Sequence, residues 1–91
     1  MPIHTDRITL GTAPTLIVEN DNMAQEVHLH NMTKSSNEYI FVGNENVATA
    51  NAIHIDPGDD LSLTLRPGDQ LYAVSDPAGL DVGVLVVKKG D

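Results

Sequence analysis

The chain has 91 residues, of which 41% are hydrophobic and only three are aromatic. This length fits one domain, residues 1–91, with a small core built from aliphatic side chains. The net charge of −8 argues against a nucleic-acid partner, because nothing here could neutralise a row of phosphates. No cysteine is present, so disulfides contribute nothing. No membrane partner is expected, since no apolar run approaches the ~20 residues of a membrane helix and the N-terminus lacks the pattern of a secretory signal.

Strand and turn signals alternate through the first half of the chain. Strands are predicted over Ile3–Leu10, Thr15–Glu19, Gln25–Asn31 and Glu38–Val42. On the last of these strands, Tyr39 and Phe41 share one face. Ile40 and Val42 share the other face, so both sides of this strand need to be covered.

Two Pro-Gly-Asp sequences, Pro57–Asp59 and Pro67–Asp69, organise the second half. Proline presets φ for the first central position of a turn, and glycine supplies the positive φ that a type II turn needs at the second. Between the turns, Leu61–Leu65 alternates leucine with polar residues, which predicts a half-buried strand. A strand beginning at Ile53 precedes the first turn, and Leu71–Ser75 follows the second. The whole stretch is therefore predicted to be a three-stranded meander.

Two further segments complete the prediction. Val47–Ala52 is a weak helix candidate, and a loop or a single turn is expected there. Leu80–Lys88 is a nearly continuous apolar run, which predicts a strand buried on both faces. About eight short strands separated by turns favour an all-β fold, a single small antiparallel β-sandwich or flattened barrel. The expected core consists of Ile8, Leu16, Val18, Val27, Leu29, Ile40, Val42, Leu61, Leu63, Leu65, Leu71, Val82, Val84 and Val86.

His28 and His30 are the strongest candidates for chemistry. Two residues apart on a strand, both imidazoles project from one face, together with Glu26, as in a two-histidine metal site. His-x-His followed by Pro-Gly-Asp turns has a faint similarity to metal-binding cupins, but the glycine before His28 and the glutamate after His30 are missing. The favoured interpretation is an exposed polar strand face. A small cupin-like metal-dependent enzyme is the alternative, and no catalytic, cofactor-binding or metal residue is assigned.

Two other polar patterns are expected to have no function. Asp56, Asp59, Asp60 and Asp69 crowd the two turns, but they lack the spacing of an EF-hand, so solvated turn carboxylates are expected. Asn31–Thr33 matches the glycosylation sequon, and this match is interpreted as coincidence.

The order of these segments resembles that of a known class of proteins. The matching segments are Ile8–Leu16, a strand ending in Asn31, Tyr39–Gly43, Thr49–Asn51, Pro57–Asp59, Leu61–Leu65, Leu71–Val74 and the last strand from Asp81 onward. The pattern resembles the small β-sandwich proteins of tailed-bacteriophage particles, found as capsid decoration proteins and in head-fibre or tail components. His28–His30 departs from it, since that strand more often carries Thr, Ile or Gln.

The resemblance implies a structural protein of the virion rather than an enzyme. The expected role is a capsid decoration (cement) protein, made in the host cytoplasm and bound to the major capsid protein on the outside of a phage head. A tail, neck or head-fibre component is the alternative. The residues also favour a homo-oligomer, because Tyr39–Val42 and Val82–Val87 are apolar on both faces. A trimer is favoured by the resemblance, and a monomer whose own loops cover these faces remains open.

Overall fold

The computed structural model describes residues 3–48 and 53–88, which form eight antiparallel strands in two four-stranded sheets. The strands are β1 (Ile3–Thr9), β2 (Thr15–Val18), β3 (Gln25–Asn31), β4 (Tyr39–Gly43), β5 (Ile53–Ile55), β6 (Asp60–Leu65), β7 (Leu71–Asp76) and β8 (Asp81–Lys88). The predicted all-β sandwich is confirmed. No helix that could cross a membrane occurs within these two ranges. Val47 and Ala48 are not helical, and the rest of the helix candidate, residues 49–52, lies outside the described residues.

The order of the strands is that of a jelly roll. Sheet 1 has the order β1-β8-β3-β6 and sheet 2 the order β2-β7-β4-β5. The predicted meander is therefore wrong, because β6 lies in sheet 1 whereas β5 and β7 lie in sheet 2. The alternation of apolar and polar residues along β6 is the same in either sheet, so it could not reveal this crossing. The two Pro-Gly-Asp turns join one sheet to the other.

The conformation of these turns is as predicted. Asp59 N donates to Asp56 O at 3.0 Å, and Gly58 has a φ of 77°, as a type II turn requires. The Gly58 amide also donates to Asn31 O at 3.1 Å, which holds the turn against the end of β3. In the second turn, Asp69 N donates to Arg66 O at 3.0 Å, Gly68 has a φ of 89°, and Gly68 N donates to Asp21 O at 2.8 Å. The first turn is thus fastened at the end of β3, and the second at the loop that precedes β3.

The core between the sheets is aliphatic. Most of the predicted core is buried there, together with five residues that were not predicted: Leu10, Ile17, Ile55, Ala73 and Leu80. The prediction was wrong for Leu16, which is 37% exposed, and for Ile8 on edge strand β1, which is only partly buried. The register of β2 against β7 shifts between Leu16 and Val18. This irregularity breaks the alternation, so that Ile17 and Val18 are both buried.

Two strands are less covered than predicted. Leu61 and Leu63 pack against the core but are only partly buried. Both residues lie on β6, which is an edge strand of sheet 1. The strand that the first turn joins to it, β5, has only three residues. On β8, Val82, Val84 and Val86 are buried, whereas the residues between them are half-exposed, so β8 is buried on one face only.

Candidate interaction surfaces

The outer face of sheet 1 carries the two histidines that the sequence singled out. His28 Nδ1 lies 2.9 Å from Ser62 Oγ, and its Nε2 lies 3.8 Å from Glu26 Oε1. His30 Nδ1 forms a hydrogen bond with Asp60 Oδ1. Both imidazoles are about half-exposed, as predicted for a polar strand face.

The other two histidines lie elsewhere. His4 pairs with Val86 in the β1–β8 ladder, on the side that faces sheet 2, and His54 belongs to sheet 2 itself. In residues 3–48 and 53–88 no group of three or more His, Cys, Asp or Glu side chains could hold a metal ion. Two histidines alone leave a zinc site short of the three protein ligands that a catalytic zinc requires.

The carboxylates of the turns have separate partners and do not converge. Asp56 Oδ1 lies 3.0 Å from His54 Nε2, Asp60 pairs with His30, and Asp69 Oδ2 accepts from the Arg66 amide at 3.1 Å. Such dispersed groups provide no common oxygen cage for a calcium ion.

Asn31 is an internal structural residue. Its side chain is fully buried, and its Nδ2 donates to Glu38 O and to Ile55 O, each at 2.9 Å. Its Oδ1 accepts from the Thr33 amide at 3.1 Å. With its amide occupied in this way, the sequon at Asn31–Thr33 presents no accessible acceptor in the folded domain.

All three aromatic residues lie on the outer face of sheet 2, where sequence reasoning had placed only two together. Directly opposite residues in an antiparallel ladder point to the same side of the sheet. Phe41 is opposite His54 on β5 and opposite Val74 on β7, while Tyr39 is opposite Asp76.

Tyr72, next along β7, is opposite Leu16 on β2 and Gly43 on β4. Tyr72 therefore continues the row formed by Tyr39 and Phe41. We call the surface formed by Tyr39, Phe41, His54 and Tyr72 the aromatic face. Odd-numbered residues of β4 share this face with even-numbered residues of β7. The aromatic face could therefore have been found in the sequence only if the pairing of these two strands had been known.

Two rings of the aromatic face, Tyr39 and Phe41, contact the imidazole of His54 while remaining partly exposed. The centroids of Tyr39 and His54 are 5.2 Å apart in an edge-to-face arrangement, and those of Phe41 and His54 are 5.7 Å apart. Tyr39, Phe41 and Tyr72 are each half-buried, whereas Val74 beside Phe41 is fully buried. Packing of this kind fixes the orientation of the rings and keeps part of each ring in solvent.

The charged groups next to the aromatic face are carboxylates. Asp76, opposite Tyr39, is exposed and has no ion-pair partner in the part of the chain that the structure describes. Asp56 follows β5 and pairs with His54. The four strands of sheet 2 contain neither lysine nor arginine. The face therefore combines aromatic rings with negative charge.

A cleft of about 460 Å³ opens between the sheets at the edge formed by β1 and β2. Its lining combines buried aliphatic residues with polar ones from β1: Val84, Val86, Ile17, Val18, His4 and Asp6. At its end, Lys88 Nζ donates to Asp21 Oδ2 at 2.6 Å. This bond and the Met23 amide hold the pKa of Asp21 below its usual value.

A second ion pair fastens β1 to β8. Asp81 accepts from Thr9 Oγ1 at 2.6 Å and from Arg7 Nε at 2.8 Å. The Thr9 hydroxyl, followed by the Arg7 guanidinium, lowers the pKa of the Asp81 carboxyl. These contacts secure an edge strand.

Comparisons with known proteins give one informative result. No family model matches the chain, and no curated protein matches it. A solved structure with a similar fold comes from the Bacillus endospore appendages, which form a family of disulfide-linked pili. The TM-score is 0.53 at 14% sequence identity, over 97% of this chain and 89% of that one. At this identity the similarity concerns the fold alone.

Proposed function

We propose that this protein is a structural subunit of a larger assembly, and specifically a decoration protein on the outside of a bacteriophage head. The observation that carries the proposal is the aromatic face. A domain with only three aromatic side chains keeps all of them on its outer surface, where each is partly exposed. Exposed aromatic clusters are characteristic of protein contact surfaces.

Two further observations support this role. The order and sequence of the strand and turn segments resemble those of small phage particle proteins. The fold similarity to a pilus protein fits a structural role in general, without reference to a phage head. We propose that the major capsid protein or another virion protein is the partner, and that the subunit itself is a homo-oligomer, with a trimer favoured.

The enzymatic alternative has less support. A cupin-like reaction would need His28 and His30 to share a metal with further ligands. Instead the two imidazoles bond separately, to Ser62 and Asp60, on the outer face of sheet 1. We therefore propose a non-catalytic role without a metal cofactor.

A second candidate is a subunit of a surface fibre or appendage. The similarity to the endospore pilus protein, which extends over nearly the whole chain, favours it. This chain contains no cysteine, so such a fibre would have to be held together without disulfides through this domain. Electron microscopy of the purified protein distinguishes the two roles, because regular filaments formed by the protein alone would favour the fibre.

A reconstitution experiment tests the decoration role. Particles assembled without this protein should be less resistant to heat or to low ionic strength, and adding the purified protein should restore their resistance. The physical reason is that a ligand which binds only the intact shell stabilises it by mass action. Failure of the purified protein to bind such particles at micromolar concentration would contradict the role.

A further inference from the structure

We infer that the aromatic face binds arginine side chains of a basic protein partner. The inference rests on the proposed function, because the partner would be the neighbouring protein of the assembly. It goes further by naming the surface and the chemistry of recognition.

The rings provide a surface on which a guanidinium group can stack. Phe41 lies between its two ladder partners, His54 and Val74, and Tyr39 contacts His54 edge to face at 5.2 Å. Their partial exposure leaves some ring surface available to a partner. A cation over the face of such a ring is attracted by its quadrupole, and arginine is the residue most often found there.

The carboxylates lie where a stacked guanidinium could reach them. Asp76 is the ladder partner of Tyr39, so its side chain projects from the same side of the sheet. Asp56 lies on the other side of this row, held by His54 at 3.0 Å. A carboxylate accepts two parallel hydrogen bonds from a guanidinium, which a lysine ammonium cannot reproduce. The arrangement therefore favours arginine over lysine.

At the aromatic face, charge favours a basic partner over a second copy. Carboxylates flank this face and each chain carries a net charge of −8, so a second copy placed against it would be repelled, whereas a basic surface is attracted. The most exposed arginine of the chain itself, Arg66, lies 3.5 Å from Asp69 and already has a local carboxylate. A neutral sugar could also stack on the rings, but it would not use the charge of Asp56 and Asp76.

Titration with peptides followed by NMR tests the inference on the isolated protein. The probe is a short peptide of alternating glycine and arginine, compared with its lysine and glutamate counterparts. The three aromatic residues give few ring resonances, so each can be followed. We expect the rings of Tyr39, Phe41 and Tyr72 to shift with the arginine peptide, less with lysine and not with glutamate. Added salt should weaken the binding.

Matched variants separate the site from general electrostatics. The double variant Asp56→Asn/Asp76→Asn should bind the arginine peptide about tenfold more weakly. The control Asp6→Asn/Glu19→Gln changes the net charge equally at the cleft on the opposite edge, and it should bind nearly as well as the original protein. Tyr39→Leu keeps an apolar side chain on the face and should also weaken binding.

Several results would overturn the inference. They are the absence of ring shifts at millimolar peptide, equal weakening in both double variants, or ring shifts caused equally by a neutral oligosaccharide or by self-association. Its failure can be told from that of the proposed function. If the protein is abundant in particles but its ring resonances do not shift with the arginine peptide, only the inference fails. If the peptide binds but purified particles lack the protein, the function fails.

Discussion

Asn31, at the end of β3, donates a hydrogen bond from its Nδ2 to the carbonyl oxygen of Ile55 on β5 at 2.9 Å. This bond joins the two sheets directly. The same amide group also bonds to Glu38 O, and the Asn31 backbone carbonyl accepts from Gly58. One buried side chain thus links β3, the β3–β4 loop and β5, while its backbone holds the turn that leads into β6.

Replacing Asn31 with alanine should be strongly destabilising. The change leaves the carbonyl oxygens of Glu38 and Ile55 without their donor in a buried site, and we expect a loss of about 2 to 4 kcal/mol in the free energy of unfolding. Urea denaturation measures it. Asn22→Ala, on an exposed loop, is the control and should change stability by less than about 0.5 kcal/mol. Equal effects of the two changes would contradict the role of Asn31.

Truncations in the core should reflect the uneven coverage of the sheets. Ile40 is fully buried, so Ile40→Ala should cost about 2 to 5 kcal/mol. Leu63 lies on edge strand β6 and is only partly buried, so Leu63→Ala should cost about 1 to 2 kcal/mol. Thermal or urea unfolding of both variants measures the two losses of stability. A larger loss for Leu63→Ala than for Ile40→Ala would contradict the partial burial of β6.

The Lys88–Asp21 pair should make stability depend on pH in the acid range. Because the folded protein lowers the pKa of Asp21 below its ordinary value of 3.8, the pair stabilises the fold above that pH, and the contribution is lost as the pH falls below it. Asp21→Asn should therefore destabilise the protein near neutrality. The difference in the free energy of unfolding between this variant and the unmodified protein should shrink as the pH falls through and below 3.8.

A double-mutant cycle provides the control for this pair. In a Lys88→Met background the main cause of the lowered pKa is gone, so Asp21→Asn should have a smaller effect and a weaker pH dependence. If the stability difference caused by Asp21→Asn stays constant across the acid range, or is unchanged in the Lys88→Met background, Lys88 is not the cause of the lowered pKa of Asp21.

The histidines of sheet 1 should be dispensable for folding and should hold no metal. We expect elemental analysis of the purified protein to find no stoichiometric transition metal, and a chelator to leave the unfolding temperature unchanged. His28→Gln/His30→Gln should remain folded, because both side chains are half-exposed. Stoichiometric metal that disappears in this variant would revive the enzymatic alternative.

Assembly of the isolated protein can be measured by light scattering at micromolar concentration. We expect a trimer, with a mass three times the 9.8 kDa of one chain. Subunit contacts are expected because Leu85 and Val87 of β8 are partly exposed on the outer face of sheet 1, while the sandwich has only one interior. The number three follows from the resemblance to capsid decoration proteins. A monomeric mass, together with no protein neighbour over Tyr39–Val42 or Val82–Val87 in the assembled particle, would contradict the prediction.

Local signals in the sequence predicted the strands well and their connections poorly. The limits of the strands agree within one residue, and the positive φ of Gly58 and Gly68 follows from the chemistry of type II turns. The assignment of β6 to sheet 1 was missed because alternation reports which face is buried and not which strand lies alongside. Long-range pairing decides that, and a single sequence carries no signal for it.

The same limit applies to the candidate site. The two-faced character of β4 was visible in the sequence and directed attention to Tyr39 and Phe41. Tyr72 and His54 could be added to the aromatic face only when the pairing of β4 with β7 and β5 was known. The exposure of Leu16 was missed because the irregularity in β2 shifts the alternation of buried and exposed residues. No residue type in that strand indicates a bulge.

The most direct test of the proposed role is the number of copies of this protein in purified virus particles, determined by quantitative mass spectrometry against the major capsid protein. A decoration protein occupies equivalent positions over the whole shell, so we expect copies on the order of hundreds per particle. About a dozen or fewer would indicate a tail or neck component, since closed rings contain few subunits. Absence of the protein from intact, infectious particles would contradict the decoration role.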